Sequence, residues 1–132
     1  MKKLLLIEDS EDLAHLYSKK LCLEGWDVII CHDGSEAIQT ATRQSFDMII
    51  LDLMLPGISG IDVLEQLRTE SSTIKVPIIV YTNFGDNFNR EKALSYGADE
   101  FLLKTEITPE DLSEAIKKTE TLKEVEGMTE GA

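Results

Sequence analysis

Acidic residues follow two apolar segments of this chain. Asp52 comes directly after the apolar residues 48–51, and Glu8 and Asp9 come directly after the apolar residues 4–7. Because the carboxyl ends of parallel strands meet at one edge of a sheet, we expect these three carboxylates to converge. Converging carboxylates repel one another and need a cation. The pattern therefore predicts a hard-metal site in which one carboxylate is left free to react.

Two other apolar runs end in groups that suit phosphoryl chemistry. Thr82 follows the fourth run and Lys104 follows the fifth. A carboxylate nucleophile can meet a negatively charged phosphoryl group only where a metal ion and an ammonium group offset the repulsion. An ionised Asp52 needs no base to activate it, and the transfer needs mainly positioning and charge stabilisation. The second run ends in Cys31 and His32, which offer no comparable group, and we expect His32 to be solvated.

The elements that must position these groups alternate along the chain. Five apolar runs, typical of buried parallel strands, cover residues 4–7, 26–31, 46–51, 76–81 and 101–103. Each is followed by a helical pattern, with cap signals at Ser10, Asp33 and Thr108. Five β-α units predict an α/β fold, a doubly wound five-stranded parallel sheet with strand order 2-1-3-4-5. The first helix is expected to turn Leu13, Leu16, Tyr17 and Leu21 toward that sheet.

Composition narrows the functional classes. The chain has 132 residues, of which 25 are acidic and 13 basic, giving a net charge of −12. Such a surface repels phosphate backbones, so direct nucleic-acid binding is not expected. No apolar run reaches the length of a membrane span, and residues 1–7 are too short for a secretory signal, so we expect a cytoplasmic protein. Cys22 and Cys31 lack metal-ligand spacing and are interpreted as ordinary thiols.

Over about residues 3–118 the chain resembles the receiver domain of two-component response regulators, a flavodoxin-like fold. The resemblance rests on the acids, the hydroxyl and the amine at four separate strand ends. It implies that Asp52 is the phospho-acceptor. It also implies that Glu8 and Asp9, with Asp52 and the backbone carbonyl of Met54, hold Mg²⁺.

The resemblance extends to the groups that would contact the phosphoryl group and report its presence. Thr82 and Lys104 correspond to the hydroxyl and the amine that contact the phosphoryl group. Phe101, three residues before Lys104, matches an aromatic switch position that is either buried or exposed. Inward movement of Thr82 would vacate space that Phe101 could fill. The resemblance therefore implies a two-state switch.

As a receiver, the chain would accept its phosphoryl group from a sensor histidine kinase or a histidine phosphotransfer protein. A downstream protein would then read the surface formed by helix four, strand five and helix five. The chain would not be an enzyme beyond self-catalysed phosphoryl transfer and dephosphorylation. We expect one receiver domain over residues 1–124 and a flexible tail over 125–132. Because no output domain follows helix five, we expect a stand-alone switch.

Two positions depart from the family pattern. Thr105 stands where the family usually has proline after the lysine, often with a cis peptide bond. A cis bond before threonine would cost about 3 kcal/mol, so we expect a trans bond or a shifted loop. Asn83 stands where the family favours a small residue. With Met54 and Phe84 it would flank the phosphoryl entrance, and the two apolar side chains would hinder attacking water and prolong the life of the phosphoryl state.

Other functional classes remain open on the sequence alone. A docking module could keep the fold and ignore phosphate. A Mg²⁺-dependent phosphatase working through an aspartyl-phosphate commonly carries a second acid two residues after its nucleophile, and this chain has Met54 there. A flavin-binding protein of similar topology is disfavoured, because no loop is rich in Ser, Thr and Gly for cradling a phosphate.

Overall fold

The computed structural model describes residues 1–83 and 87–130. Its strands are β1 (Lys3–Ile7), β2 (Asp27–Cys31), β3 (Met48–Leu51), β4 (Ile78–Thr82) and β5 (Glu100–Leu103). Its helices are α1 (Glu11–Leu23), α2 (Gly34–Arg43), α3 (Gly60–Thr69), α4 (Asn87–Ser95) and α5 (Pro109–Glu130). The strands pair in parallel in the order β2-β1-β3-β4-β5. The predicted doubly wound, flavodoxin-like fold is therefore confirmed.

Both faces of the sheet are covered by helices, which is why its strands are apolar at successive positions. One core joins the sheet to α2, α3 and α4, and it contains Leu51 and Val80. The other core joins the sheet to α1 and α5, and it contains Ile50 and Tyr81. Alternation along each strand thus divides neighbouring residues between the two cores.

The predicted helix starts are confirmed by side-chain caps. Ser10, Asp33 and Thr108 each accept a hydrogen bond from the backbone N–H three residues later. Asp111 returns the contact at α5, because its carboxylate accepts from the Thr108 N–H at 2.9 Å. These caps satisfy backbone donors that a helix start would otherwise leave unpaired.

Three predicted strands begin too early. Trp26, Phe46 and Val76 precede the observed strands by one or two residues. Trp26 and Phe46 are nevertheless buried. Val76 is partly buried against the core. Because these side chains pack without joining a ladder, an apolar pattern alone could not separate them from the strand proper.

The inward face predicted for α1 is wrong at Leu16, which is 54% exposed. Ala14, Tyr17 and Leu21 form the buried face instead. Their spacing of three and four residues places them on one face of the helix, and Leu16 lies on the opposite face.

The helix α5 is longer than predicted. It continues to Glu130 and so includes residues 125–130, which the sequence analysis places in a flexible tail; the flexibility of that tail stays a prediction. Lys123 pairs with Asp99 at 3.0 Å and with Glu126 at 3.8 Å, which fastens the last turns to the domain and to each other. Among the described residues, no helix is long and apolar enough to cross a membrane.

Candidate functional site

Backbone pairing continues past the ends of three strands and fixes the residues that follow them. The Asp52 N–H donates to the Ile7 carbonyl at 3.0 Å, and the Glu8 N–H donates to the Cys31 carbonyl at 3.0 Å. The Lys104 N–H donates to the Thr82 carbonyl at 2.9 Å. Because these bonds extend the parallel ladders, the side chains of Glu8, Asp52 and Lys104 are brought to one edge of the sheet.

Asp52 lies at the centre of the site, and its side chain is 7% exposed. One carboxylate oxygen, Oδ1, accepts from the Thr82 hydroxyl at 2.7 Å and from the Met54 N–H at 3.0 Å. The other oxygen, Oδ2, accepts from the Lys104 ammonium at 2.8 Å. Burial opposes ionisation of Asp52, but the bonds from Lys104, Met54 and Thr82 outweigh it and hold the pKa below its ordinary value.

Lys104 bridges the two buried carboxylates, since its ammonium contacts Glu8 Oε1 as well as Asp52. Burial acts against the charge on Lys104, but hydrogen bonds to both carboxylates raise its pKa above the ordinary value. Burial likewise raises the pKa of Glu8, and the Asp52 carboxylate adds to this, so that it reaches about 7 despite the ammonium. One ammonium therefore does not fully compensate two buried carboxylates.

The carboxylates fit a divalent cation. Glu8, Asp9 and Asp52 each offer one oxygen, and these oxygens all lie within 4.8 Å of one another. Glu8 Oε2 is buried and has no hydrogen-bond partner among the described residues. Asp9 is exposed, which leaves the site open to solvent on that side. An unpaired buried oxygen in an all-oxygen donor set suits Mg²⁺.

The loop after β3 is held close to the site by small residues. Gly57 has a φ of +75°, which disfavours any residue with a side chain. Gly60 begins α3 against this loop, and a Cβ there would lie 2.4 Å from Leu53 Cα and 2.6 Å from the Asp52 carbonyl oxygen. The close approach of α3 thus depends on glycine at this position. The Met54 carbonyl, expected as a metal ligand, stays a prediction.

An open groove of about 450 Å³ adjoins the site and is lined by Asp9, Met54, Leu55 and Pro56 among others. Met54 is 54% exposed, and Asn83 is also exposed. Their place at the phosphoryl entrance stays a prediction. Phe84, the third residue expected there, lies outside the described residues.

Both residues expected to form the switch are buried. Thr82 is fully buried and Phe101 is 3% exposed, within the core next to α4. The peptide bond between Lys104 and Thr105 is trans, as expected in the absence of proline.

Two residues near the site were not predicted. His32 was expected to be solvated, but it is half-buried and its Nδ1 lies 2.9 Å from the Glu8 carbonyl oxygen. The ring of Tyr81 lies under Lys104, with 5.7 Å between its centroid and the ammonium nitrogen. The place of His32 directly after β2, beside β1, was the available signal. No such signal marked Tyr81, because its position fits an ordinary residue of a buried strand.

Comparison with known proteins agrees with this geometry. The family model of the response regulator receiver domain matches residues 4–117. Response regulator ArlR of Staphylococcus saprophyticus is 36% identical over 118 residues, which are 89% of this chain and 50% of that protein. ArlR of Staphylococcus aureus strain Mu50 is 34% identical over 89% of this chain and 51% of its own length. The chain thus spans about half the length of the curated relatives it matches.

Solved structures share the fold. A CheY-like response regulator receiver domain protein from Methanospirillum hungatei JF-1 superposes with a TM-score of 0.89 at 25% identity, over 96% of this chain and 98% of that one. The receiver domain of a sensor histidine kinase from Pseudomonas aeruginosa PAO1 was solved with a magnesium ion coordinated in its active site cleft. It superposes with a TM-score of 0.82 at 27% identity, over 91% of this chain and 98% of that one. This chain belongs to the response regulator receiver domain family.

Proposed function

We propose that Asp52 accepts a phosphoryl group and that the chain works as a phosphorylation-dependent switch in two-component signalling. The observation that carries the proposal is the set of contacts at Asp52. Its two oxygens meet the Thr82 hydroxyl and the Lys104 ammonium, while Glu8 and Asp9 each place a carboxylate oxygen within 4.8 Å of an Asp52 oxygen. These are the groups that charge stabilisation around a transferring phosphoryl group requires.

The donor in this proposal is a phosphohistidine of a sensor histidine kinase or a histidine phosphotransfer protein. An ionised Asp52 oxygen forms a bond to phosphorus as the phosphorus–nitrogen bond breaks. The leaving imidazole keeps the electron pair of that bond and takes up a proton. The low pKa of Asp52 supports this role, because the nucleophile is ionised without a general base.

Glu8, Asp9 and Asp52 would hold Mg²⁺, with the Met54 carbonyl as a further ligand. The ion, when bound, would offset the negative charge of the incoming phosphoryl oxygens. Lys104 would offset charge from the other side and would exchange its contact with Asp52 for one with a phosphoryl oxygen. Thr82 would turn its hydroxyl from the carboxylate to another phosphoryl oxygen. Each of these groups is already within reach of Asp52.

Phosphorylation adds about 1.5 to 2 negative charges, and the proposed readout is the surface of α4, β5 and α5. That surface exposes Leu94 on α4 and Tyr96 directly after it. Complete inversion of a 1:99 equilibrium needs about 5.5 kcal/mol of differential stabilisation, and one new charge cluster would supply part of it. We therefore propose a partial population shift that a partner protein completes. In this proposal the buried arrangement of Thr82 and Phe101 is the one that phosphorylation favours.

The site supports an acceptor better than a phosphatase. A phosphatase of this type commonly carries a second acid two residues after its nucleophile, and the residue there is Met54, which is 54% exposed. The preserved cluster of acid, hydroxyl and amine also favours an acceptor over a docking module that ignores phosphate. Equal partner binding by the wild type and Asp52→Ala would instead support the docking module.

The proposal is tested by incubating the chain with acetyl phosphate and Mg²⁺ and measuring its intact mass. We expect one added phosphoryl group that hydroxylamine removes. The group should be absent from Asp52→Ala and from a sample kept in EDTA. A folded wild-type protein that gains no phosphoryl group, from acetyl phosphate or from a phosphorylated histidine kinase, would contradict the proposal. Loss of the group within seconds at neutral pH would count only against the proposed shielding by Met54.

A further inference from the structure

The charged groups of the site stand above the core next to α1 and α5. Each lies two residues beyond an apolar member of that core: Leu6 precedes Glu8, Ile50 precedes Asp52 and Leu102 precedes Lys104. Because strand residues alternate between faces, this spacing keeps all of them on one side of the sheet. Tyr81 belongs to the same row on β4, between the strands that carry Asp52 and Lys104.

Tyr81 forms the floor under the Lys104 ammonium. The nitrogen lies 5.7 Å from the centroid of the Tyr81 ring, within the range of a cation–π contact. The Lys104 side chain is 8% exposed, so little water competes with the ring. The ammonium is thus enclosed by two carboxylates and one aromatic face.

The ring itself is anchored from below. The Tyr81 hydroxyl donates to the Tyr17 hydroxyl at 2.9 Å, and the two rings meet edge to face at 5.1 Å between centroids. Both side chains are buried. Burial raises the pKa of Tyr81, and the bond to Tyr17 raises it further, so the hydroxyl stays protonated and can donate throughout the neutral range. Tyr17 on α1 therefore fixes the ring that faces Lys104.

We propose that Tyr81 is a positioning residue for phosphoryl transfer: its ring holds the Lys104 ammonium at the place where a phosphoryl oxygen arrives. This inference rests on the proposed function. Lysine is a flexible chain with many rotamers, and the contact of Lys104 with Asp52 is exchanged for one with a phosphoryl oxygen when Asp52 is modified. The ring is a contact that stays the same before and after transfer. It therefore keeps the ammonium in place while this oxygen partner is exchanged.

The test is the maximal rate of phosphorylation by acetyl phosphate at saturating Mg²⁺, expressed per folded molecule. Tyr81→Leu removes the aromatic face and should slow the reaction about two- to thirty-fold, the range that corresponds to one cation–π contact. Tyr81→Phe keeps the face, loses only the hydroxyl and should stay within about twofold of the wild type. The affinity for Mg²⁺ should be unchanged in both, because neither residue is a metal ligand.

A series of ring-fluorinated phenylalanines at position 81 separates positioning from packing. Fluorination preserves the shape and burial of the ring but weakens its negative face. The logarithm of the rate should fall steadily along the series, whereas a purely structural ring would give a flat series. In a Lys104→Ala background, Tyr81→Leu should have no further effect on the rate.

Failure of the two proposals is distinguishable. A wild type that takes up no phosphoryl group would overturn the proposed function and this inference together. A wild type that reacts, with Tyr81→Leu equally fast per folded molecule or with a flat fluorinated series, would overturn the positioning role alone. An equal loss of rate on Tyr81→Leu in the presence and absence of the Lys104 amine would overturn it too.

Discussion

At the scale of single residues, Glu8 and Asp52 differ although both contact Lys104. Asp52 accepts hydrogen bonds from Thr82, Met54 and Lys104, whereas Glu8 Oε2 has no partner among the described residues. Without a cation, Glu8 is therefore the carboxylate that takes up a proton more readily, while Asp52 keeps the ionised form that a nucleophile needs. The different surroundings of the two carboxylates divide their roles.

The raised pKa of Glu8 predicts how stability depends on pH. Its folded value is about 7 and its ordinary value is 4.5, so the folded state binds more protons between them. In EDTA, the free energy of unfolding should therefore fall as pH rises from 5 to 8, by on the order of 2 kcal/mol. Urea denaturation of the wild type and Glu8→Gln across this range measures the effect.

The Glu8→Gln variant should lose most of this decline, because it has no proton to release, and it should bind Mg²⁺ more weakly. Added Mg²⁺ should flatten the wild-type curve, since the ion favours the ionised carboxylate. Parallel curves for the two proteins in EDTA would show that Glu8 is not the titrating group.

The charged residues of the site could be predicted from the sequence because they come directly after apolar strands, where a charged side chain stands out from the pattern. The sequence did not reveal Tyr81 or His32 as neighbours of that site. Tyr81 is an apolar-pattern residue whose ring direction depends on Tyr17, and the two are 64 positions apart in the chain. The contact of His32 depends on how its ring turns toward the Glu8 carbonyl, which the predicted order of the strands does not specify. Such pairings are set by tertiary packing, which a local pattern does not encode.

At the scale of elements, the connection from β3 to α3 contains two glycines whose replacement by alanine should have different effects. Gly60→Ala places a Cβ 2.4 Å from Leu53 Cα and 2.6 Å from the Asp52 carbonyl oxygen, both backbone atoms. Since backbone cannot yield as a side chain can, it should destabilise the fold by about 3 kcal/mol and weaken Mg²⁺ binding. Thermal unfolding and Mg²⁺ titration measure both effects.

Gly57→Ala is the control for that change. Gly57 has a φ of +75°, and nothing lies within 4 Å of the Cβ it would gain. The variant should lose only about 1 kcal/mol from backbone strain and leave the metal site intact. Equal losses for the two variants would mean that the close approach at Gly60 does not matter.

Arg68, near the end of α3, ties several elements together far from the acidic edge. It donates to the Gly97 carbonyl at 2.9 Å and to the Val76 carbonyl at 2.7 Å, and it pairs with Asp99 at 3.0 Å. Arg68→Ala would leave the two carbonyls without this donor, although Asp99 would keep Lys123 and the Ile78 N–H, and it should cost about 2 to 4 kcal/mol. The exposed Arg43→Ala should change stability by less than about 0.5 kcal/mol. Chemical denaturation compares them, and similar values would refute this role.

Element existence and order followed from the pattern of apolar runs, but several bounds did not. Phe46 is buried before β3 begins, so burial and strand pairing do not coincide there. In the long helix α5, Lys123 pairs with Asp99, which lies in the loop before β5. Long-range contacts of this kind decide where an element ends, and they have no signal within the local sequence.

At the scale of the whole molecule, the fold protects one thiol and exposes the other. Cys31 is 1% exposed and contacts the Thr40 hydroxyl, and burial raises its pKa. Cys22 is exposed on α1. Iodoacetamide should therefore modify the native protein once, at Cys22, and the denatured protein twice. Peptide mass mapping reads this out, and rapid native modification of Cys31 would show that the sheet edge at β2 opens.

At the same scale, the net charge of the chain bears on the class of partner that the proposed switch would contact. The net charge of −12 disfavours phosphate backbones, so the proposed readout is a protein surface rather than a nucleic acid. At the acidic edge Lys104 offsets part of that charge, and a divalent cation, when bound, would offset more of it. Asp52 is thus proposed to accept a phosphoryl group in a chain whose net charge otherwise repels phosphate.

The most direct measurement identifies the modified residue. The protein is treated with acetyl phosphate and Mg²⁺, reduced with borohydride, which converts an acyl phosphate of aspartate to homoserine, and then digested and sequenced by mass spectrometry. The account predicts homoserine at position 52 and nowhere else, and none when Mg²⁺ is withheld. Conversion at Asp9 or Glu8, phosphate on a histidine or hydroxyl residue, or an unmodified Asp52 in a folded protein would contradict it.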